Sequence, residues 1–508
     1  MRDAAVARFQ PHDFELVSRR DHANPFFVRV SASFVHESGA TVGDVPGFSN
    51  GAGRWIVRFA PPAEGEWHGR TTSEDPELDG VDLGPVTAAA NENPHVHGRL
   101  VIDPAHPRRF AFEDGEAFIP LGFECDWLFA LHQAKPEAYR EFVDLLVERG
   151  FSYVVTNLYA HLGFAEPTPG WIFAPPQRYL FGGTNEEPDH SRMNPDFFRD
   201  FDEMMDDLHR RGIVVHLMLQ VQNKHVKWPA RRSPEDDLFW RYAVSRYQAY
   251  GNLVWDVGKE SYNLRREFGD HGYTVERIEL IRETDAYGHL VTVHDSLEDS
   301  AAHDSPADEA CDFVSDQIHL GETAAYNREA ARRLRGGPKP YMNIEYGYEE
   351  GVDPIKTYRS ETTRPWQDIL LWTYAIYFGG GYPCYYYTNT AWDLVKYRPE
   401  PPGWRRYRYL IDFLEASDFN ALVPDNELVD RGFCLADPGR EYLVFLPEGG
   451  EARIDLTASR GRVACDWMDI YTGERAASAA EGGGRAVSLS SPLSEPAAPC
   501  VVAVKPTG

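Results

Sequence analysis

Four times in the middle of this chain a helical pattern ends at a glycine and runs directly into an apolar stretch. PEAYREFVDLLVERG leads into FSYVVTNLY (136–159), and PDFFRDFDEMMDDLHRRG into IVVHLMLQ (195–220). EDDLFWRYAVSRYQAYG leads into NLVWDVGKE (235–260), and VERIELIRETDAYG into HLVTVHDS (275–296). Gly150, Gly212, Gly251 and Gly288 each suit the position after a helix, where positive φ favours a residue without Cβ. The apolar runs scarcely alternate, which is the pattern of strands buried on both faces. Helix, glycine and strand in series predict βα units and a parallel sheet. FIPLGFECDW (118–127) predicts a first strand, DFVSDQIHLGE (312–322) a sixth, KPYMNIEYGYE (339–349) a seventh and YAIYFGGGYPCYYY (374–387) an eighth. Eight such strands predict an α/β chain built on a (β/α)8 TIM barrel. A doubly wound sheet is the alternative, but no GxGxxG follows the first strand.

The flanks have another rhythm. FFVRVSASF (26–34), RWIVRFAPP (54–62) and GEWHGRTT (65–72) alternate apolar and polar residues between turn signals. So do EYLVFLP (441–447), ARIDLTA (452–458), RVACDWMDI (462–470) and CVVAVKP (500–506). Both ends therefore predict small antiparallel β-sandwiches, with NENPHVHG (91–98) as a linker. At 508 residues the chain exceeds one hydrophobic core. The expected division is an N-terminal β-sandwich domain over 1–97, a catalytic barrel over 98–425 and a C-terminal β-sandwich domain over 426–508.

A formal net charge of −28 repels phosphate backbones, so nucleic acid is not an expected partner. No run of apolar residues is long enough to span a membrane, so no membrane association is expected. The start, MRDAAVARFQ, lacks an apolar signal region, and the expected location is cytoplasmic. Cys125, Cys311, Cys384, Cys434, Cys465 and Cys500 form no CxxC pair, which argues against zinc clusters and dithiol redox sites. They read as buried free thiols, and neither metal nor cofactor is expected. A homo-oligomer is compatible with this surface. Aromatic residues reach 13%, which core packing explains in number. Only their position can mark a sugar site.

In TIM barrels the active site lies at the C-terminal ends of the strands. Those ends carry Glu124, Asp126 and Trp127, then Asn157, Tyr159 and His161, then Gln220, then Lys259 and Glu260. The remaining ends carry His294 and Asp295, Gln317 and His319, Glu345 and Tyr346, and finally Tyr387, Asn389 and Trp392. No Ser–His–Asp order and no phosphate loop stands out. Glycoside hydrolysis needs two carboxyl groups flanking the scissile bond. Glu260 and Glu345 end strands four and seven, which face each other across such a barrel. Glu349 and Glu350 compete for the strand-seven role but lie further into the loop. The expected sugar contacts are Asp126, Trp127, Asn157, Tyr159, Gln220, Lys259, His294, Gln317, His319, Tyr346 and Trp392.

Carboxylates ending strands four and seven resemble those of the clan A retaining glycoside hydrolases. More closely, the middle region resembles the apiosidase-like barrel family in FIPLGFECDWLF, RMNPDFFRDFDEMMDDLHRRGI, NLVWDVGKES, DQIHLGE and KPYMNIEYGYE. NPFFVRVSASF…VPGFSNGAGRWIVRFAPPAEGEWHGRTTS is similar to the β-sandwich that often precedes these barrels. EYLVFLPEGGEARIDL…WMDIYTGE is similar to the β-domain that often follows them. The resemblance implies a carbohydrate substrate, Glu260 as general acid/base and Glu345 as nucleophile. One position departs from the pattern. Lys259 stands where clan A enzymes carry the asparagine that binds the sugar 2-hydroxyl, so it either donates in that place or points elsewhere.

The insertion between 161 and 195, with Trp171 and Phe173, is expected to wall the pocket and favour exo action. Two rival readings stand beside the retaining glycosidase. Lys259 motivates a non-catalytic carbohydrate-binding protein on a degenerate barrel. The strand-end histidines motivate a metal-dependent hydrolase, although the HVH triplet at 95–97 lies in the linker and not at a strand end.

Overall fold

The computed structural model describes residues 4–161, 173, 175–264, 269–270, 272–296, 309–352, 363–391, 393–481 and 483–507. At its centre are the parallel strands Gly122–Glu124, Tyr153–Asn157, Val214–Val221, Leu253–Lys259, Val291–Thr292 with His294–Ser296, Val314–Gln317, Tyr341–Glu345 and Tyr382–Tyr387. Each pairs in parallel with its successor, and Tyr382–Tyr387 pairs back onto Gly122–Glu124. The fifth strand comes in two pieces. Val291–Thr292 pairs with the fourth strand and His294–Ser296 with the sixth, on either side of Val293. The fold is α/β with a barrel-like parallel sheet. Almost every strand residue is buried, which explains the unbroken apolar runs.

Helices Pro136–Glu148, Pro195–Arg210, Pro234–Tyr247 and Tyr273–Thr284 occupy the connections where the pattern predicts them. Two of them start alike. Pro195 and Pro234 open the first turn, where a missing N–H costs nothing. Asn194 and Ser233 accept hydrogen bonds from the backbone N–H of Asp196 and Asp236.

The expected eighth strand is only half a strand. Trp366–Phe378 is a helix, and the strand begins at Tyr382. The helix lacks an amphipathic period because its outer face is covered as well. Tyr374 and Phe378 pack on Phe445 of the C-terminal sheet, with ring centroids 5.2 and 5.6 Å apart.

Gly150 and Gly212 directly follow the helix caps Arg149 and Arg211 and have φ of 91 and 69°, as that position requires. Gly288, with φ of 71°, lies three residues beyond the cap Asp285, in the turn that leads to the fifth strand. Gly251 is different, since its φ is not positive. Its requirement is space: a Cβ there would lie 2.6 Å from the Gly98 carbonyl oxygen. Gly251→Ala is therefore expected to destabilise by about 1–3 kcal/mol through overpacking. Denaturant unfolding checks this, and an unchanged midpoint would show that the two segments separate freely.

A three-stranded sheet of Leu100–Ile102, Phe110–Phe112 and Ala117–Phe118 precedes the barrel-like sheet, and before it comes a seven-stranded one, antiparallel except where Ala4–Ala7 runs parallel to Asp82–Ala89. Val30–His36 and Arg54–Phe59 are not hydrogen-bonded neighbours, yet Phe34 stacks on Phe59 at 3.8 Å. The sheet thus folds over a core that includes Phe14, Phe34, Trp55, Phe59 and Trp67. At the other end, a six-stranded sheet and the pair Glu451–Asp455 with Ala486–Ser490 enclose Ile454, Trp467, Leu489 and Val502. All six cysteines are buried and free. No helix among the described residues is long and apolar enough to cross a membrane.

Candidate active site

Glu345 ends the seventh strand and is almost wholly buried. Its Oε1 accepts a 2.7 Å hydrogen bond from Gln317 Nε2 and another from the Tyr348 hydroxyl, with His319 Nε2 at 3.9 Å. Its Oε2 lies 3.4 Å from Lys259 Nζ. Burial works against the charged form. The Lys259 charge, then those of His294 and His319 and the Tyr348 hydrogen bond, outweigh it and hold the carboxyl below the usual range. The site thus contains a buried carboxylate kept ionised.

Lys259, the last residue of the fourth strand, is 1% exposed. Its ammonium also contacts Glu124 Oε1 and lies 3.3 Å from Asp126 Oδ1, both at the end of the first strand. Burial would lower its pKa, but Asp126, Glu124, Glu345 and Glu260 together raise it well above the ordinary lysine value. Asp126 receives 3.2 and 2.5 Å hydrogen bonds from Asn157 Nδ2 and the Tyr386 hydroxyl. Burial disfavours its charge too, and Lys259 with Lys224 overcomes this and lowers its pKa.

Glu260 follows with φ of 55°, one of five described non-glycine residues in that region. Adjacent residues of a regular strand point to opposite faces. The left-handed turn is what allows Lys259 and Glu260 to serve one site. Lys224, Lys259 and His294 each feel the charge of both Glu260 and Glu345. Tyr262 hydrogen-bonds Glu260 and feels Glu345 as well. Both carboxyl groups thus lie within electrostatic reach of the same four side chains. Glu260 is partly exposed, and Asn263 Nδ2 donates to its Oε2 at 3.3 Å.

The other expected residues divide. Asp126, Asn157, Lys259, His294, Gln317 and His319 meet around Glu345. His294 Nε2 lies 3.2 Å from Gln317 Oε1, the amide whose nitrogen holds Glu345. Gln220 lines a neighbouring cavity of about 670 Å³, with Lys224, Trp228, Arg232 and Tyr273 among its walls. Trp127 and Tyr159 are buried beside Phe129. Their Nε1 and hydroxyl have no hydrogen-bond partner among the described residues. Tyr346 does not face the site. Its hydroxyl lies 2.6 Å from Thr373 Oγ1 on the helix behind the strand, because strand alternation sends 346 outward when 345 points in. Trp392 and Trp171 lie outside the described residues.

Glu349 faces away as well. Tyr385 and the Gly403 backbone N–H donate to it, and burial pushes its carboxyl up to about 7. Glu350 is exposed. His97 pairs with Asp114 in the linker. No group of three or more metal-ligating side chains is arranged around a common point among the described residues.

Sequence reasoning missed Tyr262, Tyr348, Tyr386, Lys224 and one network. Tyr348 reaches Glu345 and Tyr386 reaches Asp126, but neither YGYE (346–349) nor YPCYYY (382–387) says which tyrosine points inward. Inside the sheet, His216 bridges Tyr153 and Asp256 at 2.8 and 2.6 Å. Asp256 Oδ1 in turn accepts from the His294 backbone N–H at 3.1 Å, which fixes the fifth strand beside the site. The polar residues within VVHLMLQ and LVWDVGK were the available signal.

Residues 105–419 match the family model described as apiosidase-like, catalytic domain, and residues 5–74 match a domain of unknown function, DUF5060. Among solved structures the chain is similar to a putative glycoside hydrolase from Bacteroides vulgatus. The TM-score is 0.78 at 19% identity, over 99% of this chain and 100% of that one. It is also similar to a glycoside hydrolase family 5 protein from Bacteroides vulgatus, with TM-score 0.61 at 19% identity over 81% and 93% of the two chains. A third, described as a glycoside hydrolase, gives TM-score 0.60 at 16% identity over 81% and 97%. At these identities the likeness is one of fold. Comparison with curated proteins gives no match.

Proposed function

The chain belongs to the apiosidase-like family of glycoside hydrolases, and from that premise we propose a retaining, exo-acting enzyme that removes a terminal or pendant sugar by double displacement. Glu345 is the nucleophile and Glu260 the general acid/base. The observation that carries this reading is the contrast between two carboxyl groups that share electrostatic neighbours. Glu345 is buried and held ionised, while Glu260 stands partly exposed on a left-handed turn.

In the first step Glu345 attacks the anomeric carbon as Glu260 gives its proton to the departing oxygen. In the second, water attacks the glycosyl ester and Glu260 takes the water's proton. Lys259, Gln317 and Tyr348 hold the nucleophile in place beforehand, so its orientation costs nothing at the transition state. Retention also requires the two carboxyl groups to lie about 5–5.5 Å apart. Asp126, Asn157 and His319 are the proposed contacts to sugar hydroxyls. Exo action is supported by Phe173 of the insertion, whose backbone N–H donates to the Asp393 carbonyl in the segment after the eighth strand.

The ring of parallel pairings supports a closed (β/α)8 TIM barrel over 98–425, between β-sandwich units over 1–97 and 426–508. The family matches at 5–74 and 105–419 fall inside the first two. Buried free thiols favour a reducing compartment, the cytoplasm.

A panel of aryl glycosides, with proton NMR of the first-formed sugar, tests the mechanism. The expected product keeps the substrate's anomeric configuration. An inverted product would overturn double displacement. Binding of sugars without any hydrolysis would favour the non-catalytic reading.

A further inference from the structure

The Lys259 ammonium is enclosed by carboxylates. It contacts Glu124 Oε1 and lies 3.3 Å from Asp126 Oδ1 and 3.4 Å from Glu345 Oε2. An ammonium has three hydrogens, and three carboxyl oxygens surround it. At 1% exposure, with the Tyr386 ring centroid 5.3 Å from Nζ, it has no open side. An amide at this position would present one donor and one acceptor to a sugar. This ammonium presents neither.

We propose that Lys259 is a positioning residue rather than a sugar contact: it pins the nucleophile Glu345 in place and in its charged form, with no hydrogen left for the substrate. The proposal rests on the assignment of Glu345 as nucleophile. It extends to Glu124, which is fully buried and touches the same ammonium. The second oxygen of Glu124, Oε2, has no hydrogen-bond partner among the described residues. An ionised carboxylate is costly in that condition, whereas a protonated one is tolerated better. Burial, and then the nearby Glu345 and Asp126 charges, raise the Glu124 carboxyl well above the usual range despite Lys259. Glu124 and Glu345 compete for one cation in a space that disfavours two more anions, and the proton settles on Glu124. Glu345 is thereby left ionised.

Besides the Gln317 amide, the titratable groups facing Glu345 among the described residues are Lys259 and Glu260 from the fourth strand and its turn, and Glu124 and Asp126 from the first strand. His294 faces it from the fifth, His319 from the sixth, Tyr348 beyond its own strand, Tyr386 and Cys384 from the eighth, Lys224 from a loop and Tyr262 from the helical turn after the fourth strand. Lys259 is the buried cation in contact with it.

Carboxyl carbon NMR of the full chain labelled at glutamate Cδ reads the proposal directly, with the Glu345 signal assigned by its loss in Glu345→Gln. In the wild-type chain Glu345 is expected to titrate below about 4.3, the ordinary glutamate value. In Lys259→Met it is expected to titrate about one to three pH units higher. Glu124→Gln fixes the neutral form of its neighbour, so the Glu345 titration is expected to stay or move lower. The acid limb of kcat/KM is expected to follow the same three positions, while KM changes by less than about threefold, since no sugar contact is lost. A wild-type Glu345 that titrates at or above 4.3 would overturn the proposal, and that measurement needs no variant. An upward shift in both variants would mark general damage to the cluster and overturn it as well. So would a rise in KM at every pH in Lys259→Met with the acid limb unmoved. The titration reads Lys259 whether or not any glycoside is turned over, so loss of the glycosidase reading would be seen separately, as inactivity of the wild-type chain.

Discussion

Glu345→Ala is expected to abolish turnover while leaving the fold intact, and azide is expected to restore it with the opposite anomer as product. Without the carboxylate no glycosyl ester forms, and the loss is expected to be on the order of ten-thousand-fold or more in kcat. The fold survives because Lys259 keeps Glu124 and Asp126 as partners, so the truncation leaves no unpaired buried charge. The vacated space also admits a small anion, and Lys259 supplies an attractive charge there. Azide then attacks the anomeric carbon from the same face that Glu345 used. A single displacement follows, and the glycosyl azide is inverted. The pH dependence has a definite sign. The wild-type nucleophile works while ionised and fails as pH falls through its depressed pKa, so the acid limb lies below the ordinary glutamate value. Steady-state kinetics, azide rescue and NMR of the product check all three points. Near-normal activity in Glu345→Ala would remove it from the mechanism.

Glu260→Ala is expected to act selectively. With alkyl or sugar leaving groups, which need a proton to depart, the loss is expected to be about 10²–10⁴-fold. With activated nitrophenyl leaving groups the first step needs little help. The second step still lacks its base, so the glycosyl ester is expected to accumulate and give a burst of nitrophenol. Azide needs no base and is expected to release the ester with retained configuration, opposite to its effect in Glu345→Ala. The backbone at Glu260 has φ of 55° with either side chain, so the turn strain is common to both and stability is expected to change little. A loss of equal size for all leaving groups would show that Glu260 does not transfer the proton.

The glycine-terminated helices made the serial βα architecture legible, since a local conformational need and a local burial pattern are both written in neighbouring residues. The same holds for the caps at Asn194 and Ser233 and for the alternation in the flanking sheets. The strand ends also named most of the residues that meet around Glu345, because a parallel sheet delivers its C-terminal ends to one place. Three matters lay beyond local pattern. The last turn of helix Trp366–Phe378, from Tyr374 on, looked like strand because the helix is covered on its outer side by the C-terminal sheet as well, and that enclosure is a tertiary fact. Tyr386 points inward while Tyr385 points out, a parity set by where the strand enters the ring. Tyr346 and Tyr348 share a parity yet diverge, because the strand ends at Glu345 and the chain turns at Gly347, with φ of 153°. The role of Lys259 was the least legible. Its sequence position shows only a departure from an amide. Folding places it against Glu124, Asp126 and Glu345, which are separated by up to 221 positions in the chain, and the charge of a buried group is decided by such neighbours.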